Sequence, residues 1–162
     1  MDTLSTILLY GMLQFLVVSA ILFAMGRSNP RLMLQDYPKD IQAAVPAKTP
    51  EEKRTTLYWG IPFWLALLAF PTVAALVSKA AHRSLLDVFL SAFGVFFLSN
   101  GLDWLVLDWL IFCTITPKFV VLPGTEGMAG YKNYAMHFRG FLIGTILSMV
   151  IGLIITALVV LF

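Results

Sequence analysis

Cysteine is nearly absent from this chain: Cys113 is the single one in 162 residues. That excludes an internal disulfide, a CxxC redox pair and a cysteine-rich zinc site, and it leaves the redox compartment unread. Charge is scarce as well. Charged residues make up 12% of the sequence, about half of the ~25% usual in a soluble domain. Lys and Arg number 11 against 9 Asp and Glu, and the positives form no patch, so nucleic acid is set aside as a partner. The glycines build neither a GxGxxG fingerprint nor a P-loop, which removes nucleotide binding. No metal-ligand spacing is present, and neither a metal nor a cofactor is expected.

What the chain has is apolar length. Hydrophobic residues account for 59%, and the mean hydropathy is +0.86. Four apolar segments stand out, at about 4–25, 57–78, 85–116 and 138–162. Each reaches the ~20 residues that a membrane span needs. The expected fold is an all-α integral membrane protein: a four-helix transmembrane bundle with a long or broken third helix. One transmembrane domain over 1–162 is expected, with helices over about 4–25, 50–78, 85–116 and 134–162. The lipid bilayer is then the first partner.

Charge order sets the expected orientation. A cleavable signal peptide begins with positive charge. Here Met1-Asp2 opens the chain, and Arg27 and Arg31 follow the first apolar run. The polar linker after that run holds Arg27, Arg31, Lys39, Lys48, Lys53 and Arg54. The connection before the last helix holds Lys118, Lys132 and Arg139, whereas the one between the second and third spans holds only Lys79 and Arg83. Nine positives against two put the linkers in the cytoplasm and both termini outside a plasma (inner) membrane.

Local signals refine the boundaries. Thr49-Pro50-Glu51-Glu52 has a hydroxyl at the N-cap, Pro at N1 and Glu at N3, so the second helix is expected to start there, at the end of a linker over 26–49. Pro62 and Pro71 lie within it and should kink it. Ser84-Leu85-Leu86-Asp87 is a second capping box, which makes Asp87 a helix-start residue. Asn29-Pro30 and Asp36-Tyr37-Pro38 read as turns. Residues 40–45 read as a short amphipathic helix at the interface.

The most informative segment is the tandem Leu102-Asp103-Trp104-Leu105-Val106 and Leu107-Asp108-Trp109-Leu110-Ile111. An Asp at the centre of a membrane helix costs ~2.5–3.5 kcal/mol, so both carboxylates need an explanation. In an α-helix five residues leave Asp103 and Asp108 ~140° apart, on different faces. One i, i+4 stripe carries Asn100, Trp104, Asp108 and Phe112. The bland account puts Asp103 and Asp108 at the inner boundary, with Trp104 and Trp109 as interfacial belt residues. It leaves residues 110–115 and 119–122 too apolar to project into water. The helix must then tilt, lie down, or break near Asn100-Gly101 and re-enter, which is tolerated only beside protein or a wet cavity. The five-residue echo is too short for a repeat architecture.

A cluster of chemically able side chains precedes the last helix: Glu126, Tyr131, Lys132, Tyr134, His137 and Arg139. On the expected topology it shares a membrane face with Asp103 and Asp108. The bland account is a solvated loop with interfacial tyrosines. A haem held by His82 and His137 is excluded by their opposite faces. The ligand-binding candidates are Asn100, Asp103, Asp108, Trp104, Glu126, Tyr131, Tyr134, His137 and Arg139. In the last helix Gly140, Gly144, Ser148, Gly152 and Thr156 recur every four residues, a small-xxx-small stripe for close helix packing within the bundle or in a homodimer.

Three functions remain open. The first is binding or translocation of a small molecule, proton or cation through an intramembrane aspartate near the cytoplasmic face. The second is a membrane-embedded enzyme acting on a lipid or isoprenoid. The third is an assembly subunit that packs on a membrane partner through its GxxxG face. Whether the chain is an enzyme is left open.

Overall fold

The computed structural model describes residues 2–162. Four helices in it are long and apolar enough to cross a membrane: Thr3–Ser28, Pro50–Ala80, Leu85–Ile115 and Tyr134–Leu161. We number the α-helices α1 (Thr3–Ser28), α2 (Lys39–Ala44, short), α3 (Pro50–Ala80), α4 (Leu85–Leu102) and α5 (Tyr134–Leu161). Residues Asp103–Ile115 continue α4 without interruption, as a π-helix. The result is an all-α membrane bundle with a long third span.

Each of the four long helices is capped at its start as its residues dictate. The Asp2 carboxylate accepts the Ser5 N–H at 2.6 Å. Thr49 and Glu52 exchange both bonds of a capping box. The Ser84 hydroxyl accepts the Asp87 N–H, while Asp87 accepts from the Ser84 and Thr3 hydroxyls. Asp87 is thereby a helix-start residue that also ties α4 to α1.

Lipid as the solvent inverts the usual burial. Large apolar side chains point outward, among them Leu8, Leu16, Leu65, Ile146 and Leu153. Small and polar ones fill the interface, including Gly11, Ser78, Ser91, Ser148 and Gly152. Without a hydrophobic drive between helices in lipid, close packing and interhelical hydrogen bonds hold the bundle. An added Cβ at Gly11 would meet Leu98, one at Gly94 would meet Ile7, and one at Gly152 would meet the Phe93 backbone at 3.3 Å. The Ser78 and Ser91 hydroxyls share a buried bond of 2.7 Å.

α3 runs through Pro62 and Pro71 as one helix. Proline has no N–H, so Pro71 leaves the Leu67 carbonyl without its intrahelical donor. Gln14 of α1, fully buried, donates its Nε2–H to that carbonyl at 3.3 Å. A neighbouring side chain thus re-satisfies the backbone that the proline frees.

The two ends of the bundle differ. At one end lie both termini: Arg83 reaches Thr3, and Lys79 reaches the Val159 carbonyl. At the other, both long linkers fold on each other around a second small core of Leu34, Tyr37, Ile41, Leu122 and Tyr131. The Tyr37 hydroxyl donates to the Val120 carbonyl at 2.8 Å. Lys48 is held by the Leu32 carbonyl, Gln35 and Thr56. Arg31 pairs with Glu52 at 2.7 Å. Phe119 packs on Phe23 and beneath Arg27. Residues 119–122, too apolar for water, are therefore covered by the linkers rather than exposed.

Candidate functional site

The third span does not break at Asn100-Gly101. It changes its winding instead. From Asp103 onward the hydrogen bonds run i→i+5, and the expected 140° separation of Asp103 and Asp108 does not hold, because that angle belongs to α geometry. In a π-helix, whose turns hold fewer than five residues just as α turns hold fewer than four, a residue five positions on lies somewhat past one turn, much nearer the same side than in an α-helix. Three observations mark the five-residue period. The Trp104 and Trp109 rings meet edge to face at 4.7 Å. Leu105, Leu110 and Ile115 form an outward row, 49%, 49% and 60% exposed. The Thr114 hydroxyl bonds the Trp109 carbonyl at 2.7 Å, and the Thr116 N–H bonds the Ile111 carbonyl at 2.8 Å. The Leu-Asp-Trp-Leu echo has the five-residue spacing of this hydrogen bond, a little more than one π turn. It aligns Asp with Asp, Trp with Trp and lipid-facing Leu with Leu.

The winding also shortens the segment. Rise per residue falls from ~2.0 Å in a 3₁₀-helix to ~1.5 Å in an α-helix as turns widen, and a π turn is wider still. The apolar residues 110–115 therefore advance less along the axis than α geometry would require.

On the common face, His137 of α5 places Nδ1 at 3.0 Å from Asp108 Oδ1. His137 is 8% exposed. Its Nε2 is buried and meets no hydrogen-bond partner among the described residues. The ring packs against Phe112 at 5.2 Å. Asp103 is within electrostatic reach of both Asp108 and His137, and its carboxylate accepts no hydrogen bond among the described residues. Trp104 stacks on Phe141 at 4.6 Å and lies 5.3 Å from Phe138. Its Nε1 is likewise buried without a partner among the described residues.

The other candidates occupy different places. Asn100 donates to the Phe141 carbonyl at 3.0 Å and to the Thr145 hydroxyl at 3.2 Å, joining α4 to α5. Tyr134 shares a bond with Thr114 at 3.1 Å, and its carbonyl accepts the Trp109 Nε1–H at 3.3 Å. Tyr131 is buried in the linker core, where its hydroxyl accepts the Leu122 N–H and bonds Thr125. Glu126 is exposed and lines a shallow cavity of about 570 Å³ with Thr116, Lys118, Tyr131 and Lys132. Arg139 is exposed and makes no hydrogen bond or ion pair among the described residues. In the stripe of α5, Gly144 lies where an added Cβ would meet Asn100 Oδ1 at 2.5 Å. Gly152 faces Phe93, and Ser148 is buried, whereas Gly140 faces open space. No group of three metal-ligating side chains occurs among the described residues.

Gln14 was not among the sequence candidates, and Lys132 was named there only as one of a polar cluster. Gln14 had a signal, as the one amide in the first apolar run. The role of Lys132 at the π-helix end had none, because it depends on which carbonyls the chain leaves open. No protein-family model, curated protein or solved structure matches this chain.

Proposed function

We propose that the protein binds and translocates a proton across the membrane, a small cation being the nearest alternative occupant. Asp108 and His137 form the exchange point, and Asp103 is the second carboxylate. The linker end, with nine of the eleven positive side chains, faces the cytoplasm of a plasma (inner) membrane on this reading.

The carrying observation is the buried, unpartnered Nε2 of His137 beside its Asp108-bound Nδ1. A neutral imidazole has one N–H and one lone pair. With the N–H on Nδ1, donating to the carboxylate, the lone pair stands on Nε2. Leaving such a group unpaired costs roughly 1–3 kcal/mol, so the fold keeps an unused lone pair there, which on this reading is where the transported proton rests in passing. The carboxylate next to it offsets the charge that then appears. Intramembrane acids paired with histidine are the usual parts of proton relays.

The test is a pH gradient across proteoliposomes, followed with an entrapped pH dye. Wild-type protein should collapse the gradient. Asp108→Asn and His137→Gln should each slow the collapse about 100-fold, the scale of losing a positioned acid–base group. A wild-type rate equal to that of protein-free vesicles would overturn the proposal.

A further inference from the structure

Long π-helical runs are rare, since the winding is normally limited to a single turn. Thirteen residues of it, Asp103–Ile115, need an external hold. The segment ends at Thr116, whose φ of 48° is left-handed. The last carbonyls of any helix lack intrahelical donors. Here the Thr116 hydroxyl donates to the Phe112 carbonyl at 2.9 Å, and one other side chain supplies the two carbonyls after it. Lys132 Nζ donates to the Cys113 carbonyl at 2.6 Å, to the Thr114 carbonyl at 3.0 Å and to the Thr116 hydroxyl at 2.8 Å. All three ammonium N–H groups are used, and the positive charge lies at the negative end of the helix.

The placement ties this hold to the site. Cys113 is five residues beyond Asp108, a little more than one π turn from it. Lys132 is five residues before His137, and Tyr134 lies between them. The stretch 132–137 thus touches the π segment three times: at its end through Lys132, at Trp109 through the Tyr134 carbonyl, and at Asp108 through His137. We propose that Lys132 is a positioning residue of the site: it holds residues 103–115 in the π winding and so keeps Asp108 against His137. The inference rests on the reading of that pair given above. It adds what sets the alignment. Rewound as an α-helix, residues five apart would part by ~140°. Trp109 would leave Trp104, and Asp108 would turn away from the face it shares with Asp103.

The two tryptophans report the winding directly, because rings 4.7 Å apart couple as excitons. The measurement is circular dichroism in nanodiscs, with Trp104→Phe as the spectrum lacking the pair. Lys132→Met should lose the exciton couplet, while helix content stays. It should also change the ¹⁵N signals of His137, read in ¹⁵N-histidine protein against His82 as internal reference. Lys132→Arg, which keeps charge and donors, should restore both. A wild-type couplet and wild-type His137 signals in Lys132→Met overturn the inference. If Lys132→Met does not fold, Lys132→Gln takes its place, since its shorter amide cannot reach all three acceptors. A reduced couplet then supports the inference and a wild-type couplet overturns it. Neither readout depends on proton movement. An intact couplet in a wild-type protein that moves no protons would sink the proposed function and leave the role of Lys132 standing.

Discussion

His137 meets Asp108 across two helices, Nδ1 to Oδ1 at 3.0 Å, while the far nitrogen of the same ring is buried with no partner among the described residues. The pairing depends on both partners being carried to one face. His137 lies on the first turn of α5, and Asp108 lies in the π-wound end of the third span.

Asp108→Leu should cost more than Asp108→Asn. The leucine leaves both imidazole nitrogens unpaired in a buried site, at about 1–3 kcal/mol for the lost bond. The asparagine can still accept from Nδ1. Reversible unfolding in detergent should place Asp108→Leu below Asp108→Asn by that margin. Equal midpoints would mean that the 3.0 Å contact carries no stability.

Gln14→Leu should be costly only while residue 71 is proline. Its amide donates to the Leu67 carbonyl, which Pro71 leaves open. Interhelical bonds in membranes average about 0.6 kcal/mol, with a maximum of about 1.7. In a Pro71→Ala background the new N–H can take over that carbonyl. A double-mutant cycle should therefore give a coupling within that range. A cycle that closes at zero would remove Gln14 from the account of Pro71.

Three glycines of one stripe should respond differently to alanine. At Gly144 the new methyl would lie 2.5 Å from Asn100 Oδ1 and displace the amide that joins α4 to α5. Overpacking of this kind costs about 1–3 kcal/mol. At Gly152 the obstacle is the Phe93 backbone at 3.3 Å, and a smaller loss is expected. Gly140→Ala has open space and should change stability by less than about 0.5 kcal/mol. If Gly140→Ala proved the most damaging, the stripe would serve a partner rather than the bundle.

The linker core should loosen in alkali. Burial, with Tyr131 and Asp36 nearby, holds the Tyr37 phenol well above its ordinary range. A raised value in the fold means that the bound proton is favoured there. Its contribution is complete below the unfolded value of about 10 and is lost as pH rises beyond it. Limited proteolysis of the linkers should accelerate above about pH 10. Tyr37→Phe should weaken this dependence, although it loses the bond to Val120 at neutral pH. An unaltered alkaline profile in Tyr37→Phe would assign the loosening to another group.

The residues of the proposed site stand out in the sequence, but their arrangement does not. Asp103 and Asp108 were conspicuous because carboxylates are rare in apolar runs. His137 was conspicuous because the loop before α5 gathers polar side chains. Their convergence was hidden, since α geometry sends the two aspartates to different faces. The five-residue echo, too short for a repeat architecture, has the spacing of the i→i+5 bond that brings them nearer to one side. Glu126 and Arg139, drawn from the same dense loop, are exposed and apart from the pair. Tyr131 serves the linker core. Polar composition marks where chemistry gathers, but it does not say which side chains turn inward.

Four spans, their caps and the polar linkers follow from local properties. Hydropathy over twenty residues, a hydroxyl at a helix start and a proline at N1 act within one or two turns of chain, so the amino-acid order alone determines them. The winding of residues 103–115 and the pairing of Asp108 with His137 were decided by the tertiary structure. A long run of N–H groups that bond five residues back is rare, and nothing local in the sequence selects it. Contacts from residues 132–137 hold it on the proposed account, and with it the face on which the aspartates lie.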